Sequence, residues 1–148
     1  ESNVGINKAN RLVERRVEIQ IGAEQDKIII TWQNNNTVPY VNYQRLYSLP
    51  QSEIIDLKIN GASSKKIDQR PFTTKEGQQF TEFGFLVPVL AKGETQVEIE
   101  LKNPLSLASK KQLFIQKQSG LPKTHYTVTY QSQSHDFELT SDQKLVFD

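Results

Sequence analysis

Cysteine and methionine are both absent from this 148-residue chain. Without a thiol there can be no disulfide, no thiolate metal site and no cysteine nucleophile. The compartment stays open on that ground, because exported and cytosolic domains alike do without cysteine. A chain that opens on Glu1 and holds no methionine is expected to be an excised piece of a longer protein, with any anchor or targeting segment outside it. Long apolar runs are missing too, and nothing approaches the roughly 18–20 residues that a membrane-crossing helix needs. The seven glycines stand singly at turns, so no strand is followed by a glycine-rich phosphate cradle.

An excess of one charge is also lacking. Eighteen Lys and Arg oppose 17 Asp and Glu, leaving a formal charge of +1. The basic residues are scattered, so nucleic acid is not an expected partner. The densest spots, Arg15-Arg16, Lys65-Lys66 and Lys110-Lys111, are only pairs and read as solvated strand ends. His125 and His135, the only histidines, stand on different predicted strands with no clear third ligand, which argues against a metal site. Ser134-His135-Asp136 holds the residue types of a hydrolytic triad, but neighbours on a strand point to opposite faces and cannot converge. No spacing nominates a carboxylate pair for acid–base work. The sequence therefore nominates no catalytic residue, no metal ligand and no cofactor, and the chain reads as non-enzymatic.

What the sequence has in abundance is alternation with a period of two. Val13, Val17, Ile19 and Ile21 fall on odd positions with Glu14, Arg16, Glu18 and Gln20 between them, the pattern of a half-buried strand. Ile28, Ile30 and Trp32 share one side of a predicted central strand, and Val41, Tyr43 and Tyr47 one side of the next. Ile55, Leu57 and Ile59 are expected on one face of a strand leading into Asn60-Gly61, a dipeptide suited to two positive φ values in a hairpin turn. The second arm is expected over roughly 63–68. Lys75-Glu76-Gly77 marks another corner, after which Phe83, Phe85, Val87 and Val89 share a face. Pro88 fits that strand only at an edge, a bulge or the strand end. Lys92-Gly93 bends the chain, with Gly93 expected at positive φ, and Val97, Ile99 and Leu101 follow on one face. Residues 102–111 read as a polar connection, 112–118 and 125–131 as short strands, and 136–148 as a final hairpin around Ser141-Asp142.

Turn signals at this spacing, with no amphipathic helix, predict an all-β fold. The expected architecture is an antiparallel β-sandwich, immunoglobulin- or fibronectin-like in general arrangement, of about eight to ten strands. Residues 1–148 form one such domain, with 1–11 as a lead-in segment. Trp32, Tyr40, Tyr43 and Tyr47 are the candidate binding residues, since aromatic faces stack on sugar rings and on proline-rich peptides. The competing reading places Trp32, Tyr43 and Tyr47 in core or cross-strand packing.

Two phrases carry a family resemblance. Asn3, Gly5, Asn7, Lys8, Ala9 and Asn10 form one, and Ile115, Gln116, Lys117, Gln118 and Gly120 the other, with Ser119 where proline is expected. Together with "NYQRLYSLP" and the 92–95 corner, they resemble the strand-rich carboxy-terminal tail of bacterial membrane-anchored proteins carrying the domain of unknown function four-zero-one-two. The resemblance implies an extracytoplasmic, cell-surface setting, with the membrane reached only through an amino-terminal segment outside this chain. It supplies no catalytic residue. The expected role is an accessory, interaction or spacer module of a cell-envelope protein. Its partner would be an unknown protein or a cell-wall glycan, and the alternative is a carbohydrate-binding module using exposed aromatics.

Overall fold

The computed structural model describes residues 2–3, 12–104, 111–118 and 123–147. Thirteen strands form among them. The first five are β1 (Ser2–Asn3), β2 (Val13–Ile21), β3 (Gln25–Asn34), β4 (Tyr40–Ser48) and β5 (Glu53–Ile59). Next come β6 (Ala62–Ser63), β7 (Asp68–Thr73), β8 (Gln79–Val89) and β9 (Gly93–Lys102). β10 (Lys111–Ile115), β11 (Thr124–Tyr130), β12 (Gln133–Leu139) and β13 (Gln143–Phe147) complete the chain. The number exceeds the expected range, mainly because β1 and β6 are two-residue stubs and polar stretches also pair.

The strands divide into a small sheet in the order β1-β4-β8-β7, a large sheet in the order β12-β11-β2-β3-β9-β5-β6, and a β10-β13 ribbon. Alternation decides which side faces inward. Val17, Ile19, Ile28, Ile30, Trp32, Val97 and Ile99 from the large sheet meet Tyr40, Phe85, Val87 and Val89 from the small one in a single buried cluster. Ile115 and Phe147 bring the ribbon into the same core. The result is an all-β sandwich. Its pairings are antiparallel except between β2 and β11, which run parallel from Arg15↔Thr124 to Ile21↔Tyr130.

Several local expectations need correction. Ile55 is not in the inward row: a register shift between Ile54 and Asp56 leaves it without a cross-strand partner, and it is exposed. Ile54, Leu57 and Ile59 face the core instead. Asn60 and Gly61 do have positive φ, but the second arm of their hairpin is only Ala62–Ser63. The polar stretch Asp68–Thr73 is itself a strand, the edge of the small sheet, with Pro71 placed where a missing donor is tolerated. β12 and β13 do not form a hairpin, since β12 pairs with β11 and β13 with β10.

The Lys92-Gly93 corner is an arch between sheets, because β8 belongs to the small sheet and β9 to the large one. Its positive-φ residue is Lys92 at 47°, and Gly93 is not in that region. The Lys92 N–H donates to Asn36 O at 2.8 Å, tying this arch to the β3–β4 connection. Pro88 lies beyond the reach of β7, which pairs with β8 only as far as Gly84. Its carbonyl accepts from the Thr95 hydroxyl at 3.2 Å, so that side of its backbone faces away from β4. Arg15, read as a solvated residue, is buried: it donates to Val13 O at 2.8 Å and to the Tyr40 hydroxyl at 3.4 Å, from one sheet to the other. Most of the lead-in segment, the centre of the 102–111 connection and residues 119–122 lie outside the described residues.

Candidate functional site

In a two-layer sandwich the outer face of each sheet is ordinarily wet and polar. The outer face of the small sheet departs from that. Because Tyr40 and Asn42 point inward, Val41, Tyr43, Arg45 and Tyr47 of β4 share the outward side. Register places Val41 opposite Pro88, Tyr43 opposite Leu86, Arg45 opposite Gly84 and Tyr47 opposite Glu82. On the other flank of β8, Asp68 stands opposite Gly84, Arg70 opposite Glu82 and Phe72 opposite Phe80. The face therefore exposes Leu86 at 54%, Tyr47 at 43%, Phe72 at 38% and Val41 at 36%. The rings of Tyr47 and Phe72 lie 5.0 Å apart across the sheet, tilted by 55°.

A charge cluster is set into the middle of this surface. Glu82 is buried, and Arg70 Nη2 donates to its Oε1 at 2.7 Å while Arg45 Nε lies 4.0 Å from the same atom. The carboxylate holds the Arg70 guanidinium above its already high ordinary pKa. Gly84 leaves room for the Tyr43 phenol, whose oxygen would lie 2.0 Å from any Cβ placed there. Lying across that gap, Tyr43 donates its hydroxyl to Asp68 Oδ2 at 3.2 Å, and the Arg45 guanidinium sits 5.7 Å from its ring centre. Burial, then the bond to Asp68 and its negative charge, push the Tyr43 pKa up. Two arginines and two carboxylates occupy the platform, so its formal charge cancels.

At the end of the platform where β4 leaves the sheet, a depression of about 480 Å³ opens beside β7. Pro50, Gln51, Gln69 and Gln79 line it together with Arg70 and Phe72, which it shares with the platform.

The structure separates the four sequence candidates. Trp32 and Tyr40, at 0% and 5% exposure, are core residues and not part of a contact surface, contrary to the sequence expectation. Tyr43 and Tyr47 come together on the outer face. Phe72, Leu86, Arg45, Arg70 and Glu82 join them without having been singled out. The signal was there only in part: Arg70 and Phe72 alternate within "DQRPFT", but nothing local says that this stretch pairs beside β8.

The histidines do not build a second site. His125 Nε2 lies 2.7 Å from Asp136 Oδ1 in an exposed pair on β11 and β12, and His135 packs edge-on against Phe147 at 5.6 Å. Among the described residues, no three His, Asp or Glu side chains gather where they could hold a metal ion.

No family model matches the chain, and no curated protein does. Among solved structures it is similar to yeast LTA4 hydrolase in complex with bestatin, with 8% identity and a TM-score of 0.38. That likeness covers 93% of this chain and 28% of the enzyme's, so the chain spans little over a quarter of that protein.

Proposed function

We propose that this chain is a non-enzymatic interaction module of an extracytoplasmic bacterial cell-envelope protein, and that the outer face of its small sheet contacts a neutral polysaccharide. One observation carries the reading. Where a solvated polar face is the norm, Tyr47, Phe72, Leu86 and Val41 are exposed around a charge cluster that sums to zero. Aromatic rings offer sugar C–H faces a stacking surface, and a neutral platform gives a charged polymer little to bind. The resemblance of two phrases to the tails of membrane-anchored bacterial proteins supports the envelope setting, with the anchor proposed to lie outside this chain.

Co-sedimentation with insoluble cell-wall polysaccharide tests the reading. The unmodified chain should sediment with the polymer, and the Tyr47→Ala/Phe72→Ala pair should bind about tenfold more weakly with its fold intact. Equal sedimentation of both proteins would remove the platform from binding. Retention of an envelope protein without any polysaccharide would replace the ligand class.

A further inference from the structure

The turn that leaves β4 has an unusual residue at its strained position. Ser52 N–H donates to Leu49 O at 3.1 Å, closing a four-residue turn with Pro50 at its second position and Gln51, at φ 69°, at its third. Such a type II turn requires positive φ at the third position, and glycine or asparagine is the ordinary occupant. Glutamine has neither the freedom of glycine nor a side chain short enough to bond its own backbone. A strained non-glycine backbone that persists beside a concave surface is a recurrent mark of ligand contact.

Gln51 lines the depression beside β7 together with Gln69 and Gln79, which stand on the inward row of their strands. Each amide is donor and acceptor at once, which matches neighbouring sugar hydroxyls, themselves both. A volume of about 480 Å³ suits a small organic unit. The one cation in the lining, Arg70, is already committed to Glu82.

We infer that this depression is a subsite for one sugar unit of the polysaccharide, and that Gln51 is held in its strained turn to present an amide there. The inference rests on the platform reading above, since the depression shares Arg70 and Phe72 with the platform and reaches round the β7 edge to the other side of the sheet.

The test is titration of the intact chain with a β-1,4-linked N-acetylglucosamine hexasaccharide, followed by calorimetry, beside thermal melting of each variant. Gln51→Gly should raise the melting temperature by roughly 3 °C while weakening binding about fivefold. Gln51→Glu, the same shape without the amide donor, should weaken binding similarly and leave melting within about 1 °C. If both variants bind like the unmodified chain while Tyr47→Ala/Phe72→Ala does not, the subsite is overturned and the platform stands. A hexasaccharide that the unmodified chain ignores overturns both. A Gln51→Gly variant no more stable than its parent overturns the strained-amide argument even where binding falls.

Discussion

Lys92 at the β8–β9 arch shows how a single backbone angle redirects a mutational expectation. A side chain in the left-handed region costs roughly 1–2 kcal/mol, so the strain sits at Lys92 and not at its glycine neighbour. A Cβ on Gly93 would meet Leu90 Cβ at 3.5 Å and Ala91 O at 3.6 Å, which is ordinary contact. Lys92→Gly should therefore stabilise the fold by about 0.5–1 kcal/mol, the strain relieved less the freedom added to the unfolded chain. Gly93→Ala should stay within about 0.5 kcal/mol. Urea midpoints check both, and the reverse ranking would return the strain to Gly93. Tyr43 supports a second prediction of the same scale. Its folded pKa is raised above the ordinary tyrosine value of about 10, so the fold favours the neutral phenol. The associated stability is present below that pH and is lost as pH climbs through the folded value. Tyr43→Phe should thus resist alkaline unfolding better than its parent above about pH 10. Parallel pH profiles would show that the phenol does not titrate against the fold. Gly84→Ala should give an intermediate profile, because its methyl would push the phenol away from Asp68.

At the scale of elements, strands with one buried side were legible and strands with none were not. β2 and β9 announce themselves because Val17 and Ile99 sit in regular alternation with polar neighbours, and β3 and β8 because 28–32 and 83–89 are mostly apolar runs between turn signals. β7 is exposed along its whole length, so burial imposes no pattern on its sequence, and only its pairing to β8 makes it a strand. The same limit hid half of the outer platform, since Arg70 and Phe72 lie on β7. Ile55 misled for another reason: a bulge shifts the period by one residue without leaving a compositional trace. Turns were read correctly where glycine was required by φ, as at Gly61 and Gly77. Gly22, in the β2–β3 connection, is required for space instead. A Cβ there would lie 2.1 Å from Gln25 O, a backbone atom held in β3, while its own N–H donates to Asp26 Oδ1 at 3.0 Å. Gly22→Ala should cost about 1–3 kcal/mol in chemical denaturation. A loss below that range would mean that the connection relaxes without disturbing the hairpin.

For the whole molecule the question is whether two sheets and a ribbon behave as one body. The chain passes between the two large layers at 35–39, 49–52, 64–67 and 90–92, so neither sheet is built from a continuous segment. The parallel β2–β11 pairing goes further, joining a strand near the start of the chain to one near its end. Phe85 of the small sheet and Trp32 of the large one belong to the same buried cluster, and Arg15 reaches across the gap to Tyr40. Such interleaving should forbid independent melting, and the single tryptophan provides the means to see it. Phe85→Ala removes a buried ring from the small sheet and should cost about 3–5 kcal/mol. Although Trp32 is in the other sheet, its fluorescence midpoint in urea should move by the full amount, together with the far-ultraviolet circular dichroism. A Trp32 transition that keeps its midpoint while the dichroism splits in two would show that the large sheet stands without the small one, and the proposed contact face would then rest on a separately unfolding layer.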